Sequence, residues 1–282
     1  MKLCTSSWSF SHCTLEEAVA ITKALGFQAT DLGYFHGPAV DKLQVINDPT
    51  GYAGYIRSLG ITVPTFYHLF GETLYDRNLA DPASLEKNLR DFVKVVEFCR
   101  AAEIPVLFII PGMVNPGQTR EQAFEISVRS LQEMLPIARK AGVVLSIEAH
   151  VHSYLESPAK VIQVLGEVEG LKLTLDYSHF ICLGYRQEEV DALAPYAAHV
   201  HLRQARPGVL QAEMSQGTIN IGALLGLLNR LQYDGYIALE AVHQEYMDTV
   251  HEDVLSEIIK MRNFCLEYTG TRKADSGQAK RF

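Results

Sequence analysis

The feature that most constrains this chain is an alternation of two hydrophobic periods, repeated eight times from end to end. Short runs that alternate or are wholly apolar read as strands, and longer runs with apolar residues every three to four positions read as helices. Strand patterns fall at 2–8, 27–35, 61–70, 105–112, 143–150, 171–178, 198–205 and 236–243. Helix patterns follow them at 14–26, 51–60, 81–103, 119–142, 157–168, 186–197, 219–232 and 249–268. The first helix opens with Thr14, has Glu17 three residues on in capping-box spacing, and closes on Gly26. In the third, Leu85, Leu89, Phe92, Val95, Val96 and Cys99 mark one face. The run "PVLFIIPG" is apolar throughout, as expected of a strand buried on both sides of a parallel sheet.

Strands alternating with helices build parallel sheets. Eight such units in 282 residues predict an α/β fold, a single (β/α)8 TIM barrel over residues 1–270. A doubly wound open sheet is the competing arrangement, but no GxGxxG follows the first strand. Residues 271–282 are polar and read as a mobile tail. The net charge of −8 argues against a nucleic-acid partner, because phosphate contact needs clustered Lys and Arg. No apolar run reaches membrane-spanning length, and "MKLCTSSWSF" lacks the apolar core of a secretory signal, so neither membrane nor export is expected. The five cysteines are scattered without CxxC spacing and read as reduced thiols of a cytoplasmic protein.

The stretch "LTLDYSHF" raises the chemical question. Leu171, Leu173 and Leu175 alternate as a half-buried strand should, yet the strand ends on Asp176, with His179 three residues further. A carboxylate there is costly unless it is paired or holds a metal. In a barrel the active site lies where strands run into the loops that follow them. Strand five ends at Glu148, with His150 beyond it; strand six ends at Asp176. Strand seven carries His199 and His201, then Arg203 and Arg206; strand eight ends at Glu240. Four consecutive strands therefore offer carboxylate, carboxylate, imidazole and carboxylate at one level, a donor set suited to a divalent cation with room left for substrate. The plainer readings are a helix cap at Asp176 and a wall salt bridge from Glu148 or Glu240 to Arg203. Trp8, Tyr34 and His36 sit at the ends of strands one and two, where a sugar face can pack, and His68 ends strand three.

The segments "VLSIEAH", "LTLDYSH", "HVHLRQA" and "GYIALEAVH" resemble the sugar isomerase/epimerase family with the xylose-isomerase-like barrel. That family includes ketose 3-epimerases, hydroxypyruvate isomerase and inosose dehydratase, with AP endonucleases as relatives. The resemblance implies Glu148, Asp176, His201 and Glu240 as ligands of one divalent ion (Mn, Mg, Co or Zn) and Glu148 and Glu240 as an acid/base pair. It implies His179 as a substrate-binding histidine. Arg206, His68 and His150 are further candidate substrate contacts. The chain departs from the pattern in "HLRQARPG", where Gln204 stands in place of an acidic residue and the register of Arg206 is not fixed. Of the extra histidines that DNA-repair relatives need for a trinuclear zinc cluster, His68 can stand for one, but the second-strand and fourth-strand counterparts are missing.

The expectation is a metal-dependent isomerase or epimerase of a ketose or related hydroxy-ketone, working by proton transfer through a cis-enediolate. A dehydratase of a cyclic polyol using the same site is the nearest rival, and a phosphodiesterase the next. The loop "AVHQEYMD" is acidic and has no glycine, unlike a barrel phosphate cradle, so an unphosphorylated sugar is expected. A homo-oligomer is compatible with the sequence.

Overall fold

The structure, a computed structural model, describes residues 1–34, 40–250 and 252–278. Eight parallel strands close a barrel in the order β1-β10-β7-β6-β5-β4-β3-β2. They are β1 (Lys2–Ser6), β2 (Thr30–Gly33), β3 (Thr65–His68), β4 (Val106–Ile109), β5 (Val144–Ile147), β6 (Lys172–Asp176), β7 (Ala197–Leu202) and β10 (Tyr236–Leu239). Two further strands, β8 (Gln204–Arg206) and β9 (Val209–Ala212), form an antiparallel hairpin between β7 and the helix after it. The helices are α1 (Leu15–Ala24), α2 (Lys42–Asn47), α3 (Pro49–Ser58), α4 (Leu85–Ala101), α5 (Arg120–Lys140), α6 (Pro158–Glu167), α7 (Tyr177–Cys182), α8 (Gln187–Asp191), α9 (Ile221–Arg230) and α10 (Val254–Gln278). The chain is thus the single (β/α)8 barrel that the alternation predicts. Residues 279–282 of the expected tail and the end-of-strand His36 lie outside the described residues.

Local chemistry sets the elements. The Thr14 side chain accepts the Glu17 N–H while Glu17 reaches back to the Thr14 N–H, the capping box read from the sequence. Thr119 and Gln122 do the same at the start of α5. The helices bury one face against the outside of the barrel. The outward strand residues Leu32, Phe66, Leu107, Ile109, Leu145, Ile147, Leu173, Leu175, Val200, Ile237 and Leu239 meet them there in one hydrocarbon core. Successive strand side chains point to opposite faces, so the alternate residues necessarily enter the barrel. The inside is therefore where polar residues gather.

Two segments depart from the sequence reading. Strand seven was expected through residue 205; the barrel strand stops at Leu202, and Gln204 belongs to the hairpin. The hairpin turns at Pro207-Gly208, with Gly208 at φ 77, where the left-handed backbone favours glycine. After β6 the chain turns at once into α7, with Asp176 as its cap: the Asp176 side chain accepts the Ser178 N–H.

Candidate active site

Alternation brings the site together. In β6 and β7, Asp176 and His201 are register partners, and Thr174 pairs with His199 one layer below. Glu148 and Glu240 are the first residues past β5 and β10. Their backbone N–H groups still donate to the neighbouring strands, to Ile109 O at 3.1 Å and Leu202 O at 3.0 Å. The inward sequence of β7 runs His199, His201 and continues just past the strand to Arg203, and all three are buried. Trp8, Tyr67, Phe108, Ile110 and Val242 complete an apolar wall beside the polar groups. The open space between them is small, about 30 Å³.

The polar groups converge on His201. Its Nδ1 lies 2.7 Å from Glu148 Oε1 and 3.4 Å from Glu240 Oε2. The ring packs edge-on against Trp8 and Phe108, which fixes its plane. Asp176, His201 and Glu240 bring one ligand atom each within 4.8 Å of one another, and so do Glu148, Asp176 and His179. Arg203 is fixed among them. Its Nε donates to Ser178 Oγ at 2.8 Å, its Nη2 to Asp176 Oδ2 at 2.8 Å, and its Nη1 lies 3.7 Å from Glu240 Oε1. The Trp8 indole N–H donates to Glu240 Oε1 at 2.8 Å.

Burial and neighbours push the groups apart in acidity. Burial holds the Glu148 carboxyl above the usual range, and His201 only partly offsets it. Burial acts on Glu240 in the same direction, but Arg203, His201 and the Trp8 N–H outweigh it and lower its pKa. Burial disfavours the His201 cation, yet Glu240 and Glu148 overcome that and raise its pKa well above the ordinary value. His150 is brought down to about 4 by burial, and His179 well below its ordinary range by the same cause. Two donors face the His179 ring: the Val151 N–H at Nδ1 and Arg203 Nη2 at Nε2, each at 3.2 Å. A neutral imidazole has one lone pair to give. The backbone N–H is fixed in place, so the ring accepts at Nδ1 and carries its proton on Nε2, 3.5 Å from Asp176 Oδ2.

The donor set fits a divalent cation. Three carboxylates and an imidazole are the oxygen and nitrogen ligands such ions take. Glu240 Oε2 is buried without a hydrogen-bond partner, a lone pair left over that a cation would take up.

The structure brings Glu148, Asp176, His179, His201 and Glu240 into one cluster, with His150 at its edge, its ring centroid 4.2 Å from that of His179. Two expected substrate contacts stand outside this cluster. Arg206 is exposed on the hairpin and lines a groove with Val151, Glu213 and Glu252. His68 follows Tyr67 on β3, and alternation sends Tyr67 into the barrel and His68 away from it. His68 lines a separate small cavity with Phe70 and Asn78. Arg203, read from the sequence as a salt-bridge partner, lies within the cluster; standing two residues after His201, it shares its parity. Trp8, weighed as a sugar platform, is a hydrogen-bond donor to Glu240. Asp31 lies beneath His201 and was not singled out.

The family model described as xylose isomerase-like TIM barrel matches residues 19–261. Among solved structures the chain is similar to an L-ribulose 3-epimerase, with a TM-score of 0.76 at 17% identity, covering 100% of this chain and 99% of that one. It is similar to an IOLI protein with a binding zinc atom, TM-score 0.74 at 16% identity, over 96% and 99% of the two chains. The probable 3-DHS dehydratase AsbF from Bacillus anthracis matches at TM-score 0.69 and 15% identity, over 92% and 97%. No curated protein sequence matches this chain. Among the described residues no helix is long and apolar enough to cross a membrane.

Proposed function

The chain belongs to the xylose isomerase-like TIM barrel family, and from that premise we propose that it is an isomerase or epimerase of a small, unphosphorylated ketose or related hydroxy-ketone. One observation supports this most: Glu148 and Glu240 meet at Nδ1 of one buried histidine, with their acidities pushed in opposite directions. Pairs of titratable groups whose surroundings separate their pKa values mark acid and base assignments.

Glu148, Asp176, His201 and Glu240 would hold one divalent cation, with Mn, Mg, Co and Zn all suited to these donors. When bound, it polarises a substrate carbonyl and acidifies the C–H beside it. Glu240, kept ionised by Arg203 and Trp8, takes the proton from that carbon, leaving an enediolate. Glu148, whose pKa burial raises, returns a proton to the opposite face in epimerisation or to the neighbouring carbon in isomerisation. His179 offers its Nε2–H as a neutral donor to the oxygen on which charge develops. Arg203 holds Asp176 in place and balances part of the negative charge of three carboxylates. The apolar wall of Trp8, Tyr67 and Phe108 keeps bulk water from the carbanion-like carbon. The same proton abstraction beside a leaving hydroxyl would be a dehydration, the reading that product analysis separates.

The test is the wild-type protein, loaded with a divalent metal, given a panel of unphosphorylated ketoses in heavy water. Carbon-bound deuterium and a new epimer or isomer are expected. Products lacking the elements of water would replace this reading with a lyase. Neither exchange nor product across the panel, with metal content verified, would overturn it. Glu148→Gln and Glu240→Gln, with metal retained, are each expected to lose about a hundred- to ten-thousand-fold in turnover.

A further inference from the structure

One buried carboxylate has no part in the roles assigned above. Asp31, inside the barrel on β2, is fully buried. Its Oδ2 lies 2.7 Å from Nε2 of His199 and 3.5 Å from Nε2 of His201, and its Oδ1 lies 3.7 Å from Cys4 Sγ. His201 turns its Nδ1 toward Glu148 and Glu240, so the lone pair available to a cation is on Nδ1. A neutral ring that gives up that lone pair must keep its proton on Nε2. Nε2 of His201 is buried, and among the described residues it makes no hydrogen bond of ordinary geometry. Asp31 Oδ2 is the carboxylate oxygen facing it. Trp8 and Phe108 clamp the ring edge-on from other directions and offer it no acceptor.

We propose that Asp31 is a positioning residue of the metal site: its carboxylate takes the Nε2–H of His201 and so fixes which ring nitrogen faces Glu148 and Glu240. This rests on the reading of His201 as a ligand. A carboxylate behind a ligating histidine orients the ring and raises its basicity. Here the same oxygen is shared with His199, whose Nε2–H donates to it. His199 thus holds Asp31 rather than the metal. Cys4, Asp31 and His199 also bring ligand atoms within 4.8 Å of one another. The 2.7 Å bond between Asp31 and His199 already uses two of those atoms, and the test below separates the two cases.

Chelator competition with zinc on the full-length protein compares wild type, Asp31→Asn and His199→Gln. Asparagine keeps the shape of Asp31 and removes its charge. Asp31→Asn is expected to bind zinc about 10- to 100-fold more weakly, the usual cost of losing such a partner. His199→Gln, which leaves the carboxylate, is expected to stay within about threefold of wild type, below that range. Equal affinity in Asp31→Asn overturns the proposal, and so does an equal loss in both variants, which would make the Asp31–His199 pair a structural strut. A second zinc equivalent lost in Cys4→Ser overturns it by making Asp31 a ligand. Wild type that binds no divalent cation is a different result, and it sinks the metal reading beneath. Nuclear magnetic resonance of cadmium-loaded wild type with isotope-labelled histidine needs no variant to fold. One ring should couple to cadmium through Nδ1 and show an Nε2–H slow to exchange with water. Coupling through Nε2, or a rapidly exchanging proton there, overturns the proposal.

Discussion

A guanidinium set among three carboxylates changes what each of them can do. Arg203 is 5% exposed and Asp176 2% exposed, so water screens their 2.8 Å pair very little. Removing one partner of such a pair strands the other charge, typically at about 3–5 kcal/mol. Arg203→Met is therefore expected to lower the urea-unfolding free energy of the metal-free protein by about that amount. Arg203→Lys should recover little of it. The ammonium is a single point charge and cannot donate to Ser178 Oγ and Asp176 Oδ2 from a fixed planar fork. Stability within about 1 kcal/mol of wild type in Arg203→Met would mean the guanidinium is a solvated bystander. Trp8 gives a finer probe of the same cluster. Trp8→Phe keeps a ring beside His201 but removes the N–H that Glu240 Oε1 accepts. A hydrogen bond to a charged group is worth about 1.5–3 kcal/mol, so turnover is expected to fall about ten- to a hundredfold with metal content unchanged. Unchanged turnover would show that the indole only packs.

The elements divide into those whose signal is periodic and those too short to have a period. All eight barrel strands are legible, because each is bounded by turn residues and followed by an amphipathic helix. α7, with six residues, and α2, also with six, are shorter than two helical turns and leave no repeat to read. The β8–β9 hairpin did leave a signal, the Pro207-Gly208 pair ahead of Val209 and Leu210, but the continuous reading of "AHVHLRQA" as one strand hid it. That one element explains the placing of Arg206. Glu148, Asp176, His201 and Glu240 were legible because each follows outward-facing aliphatic residues that fix its parity. His68 was not, because "TFYHLF" is apolar or aromatic on both faces and parity is left undetermined by the sequence. Asp31 was missed because a lone acid before Leu32 and Gly33 resembles a turn. The hairpin placement has a direct consequence. Arg206→Ala is expected to change turnover by no more than about twofold, the usual range for a surface substitution. A larger loss in turnover would show that the hairpin carries Arg206 into contact with substrate.

At the scale of the whole molecule, a barrel that buries several histidines ties its stability to pH. His68 is 1% exposed, and neither ring nitrogen has a hydrogen-bond partner among the described residues. The rings of Tyr34 and Phe70 meet it edge-on. Burial, with help from the Lys42 and Arg77 cations, holds its pKa well below the ordinary value of 6.5. The folded protein therefore leaves His68 neutral where the unfolded chain protonates it. Stability rises with pH wherever the unfolded state binds more protons. The contribution of His68 is thus fully present above about pH 6.5 and is lost as pH falls below it, by up to about 1.4 kcal/mol per pH unit. His150 and His179 act in the same direction, whereas His201, with a raised pKa, contributes stability at low pH that is lost as pH rises. These offset one another in the wild-type curve, so the single group has to be isolated by difference. His68→Phe keeps a flat ring in the same aromatic surroundings and removes both unpaired nitrogens. At pH 7.5 the variant is expected to match or exceed wild type, because a buried polar group without a partner costs about 1–3 kcal/mol. Between pH 6.5 and 5 its advantage should widen by up to about 1.4 kcal/mol for each unit of pH, read from urea-unfolding free energies of the two proteins side by side. A gap that stays constant over that range would mean that folded His68 takes up its proton as readily as the unfolded chain does, and that the ring has a partner or water access after all.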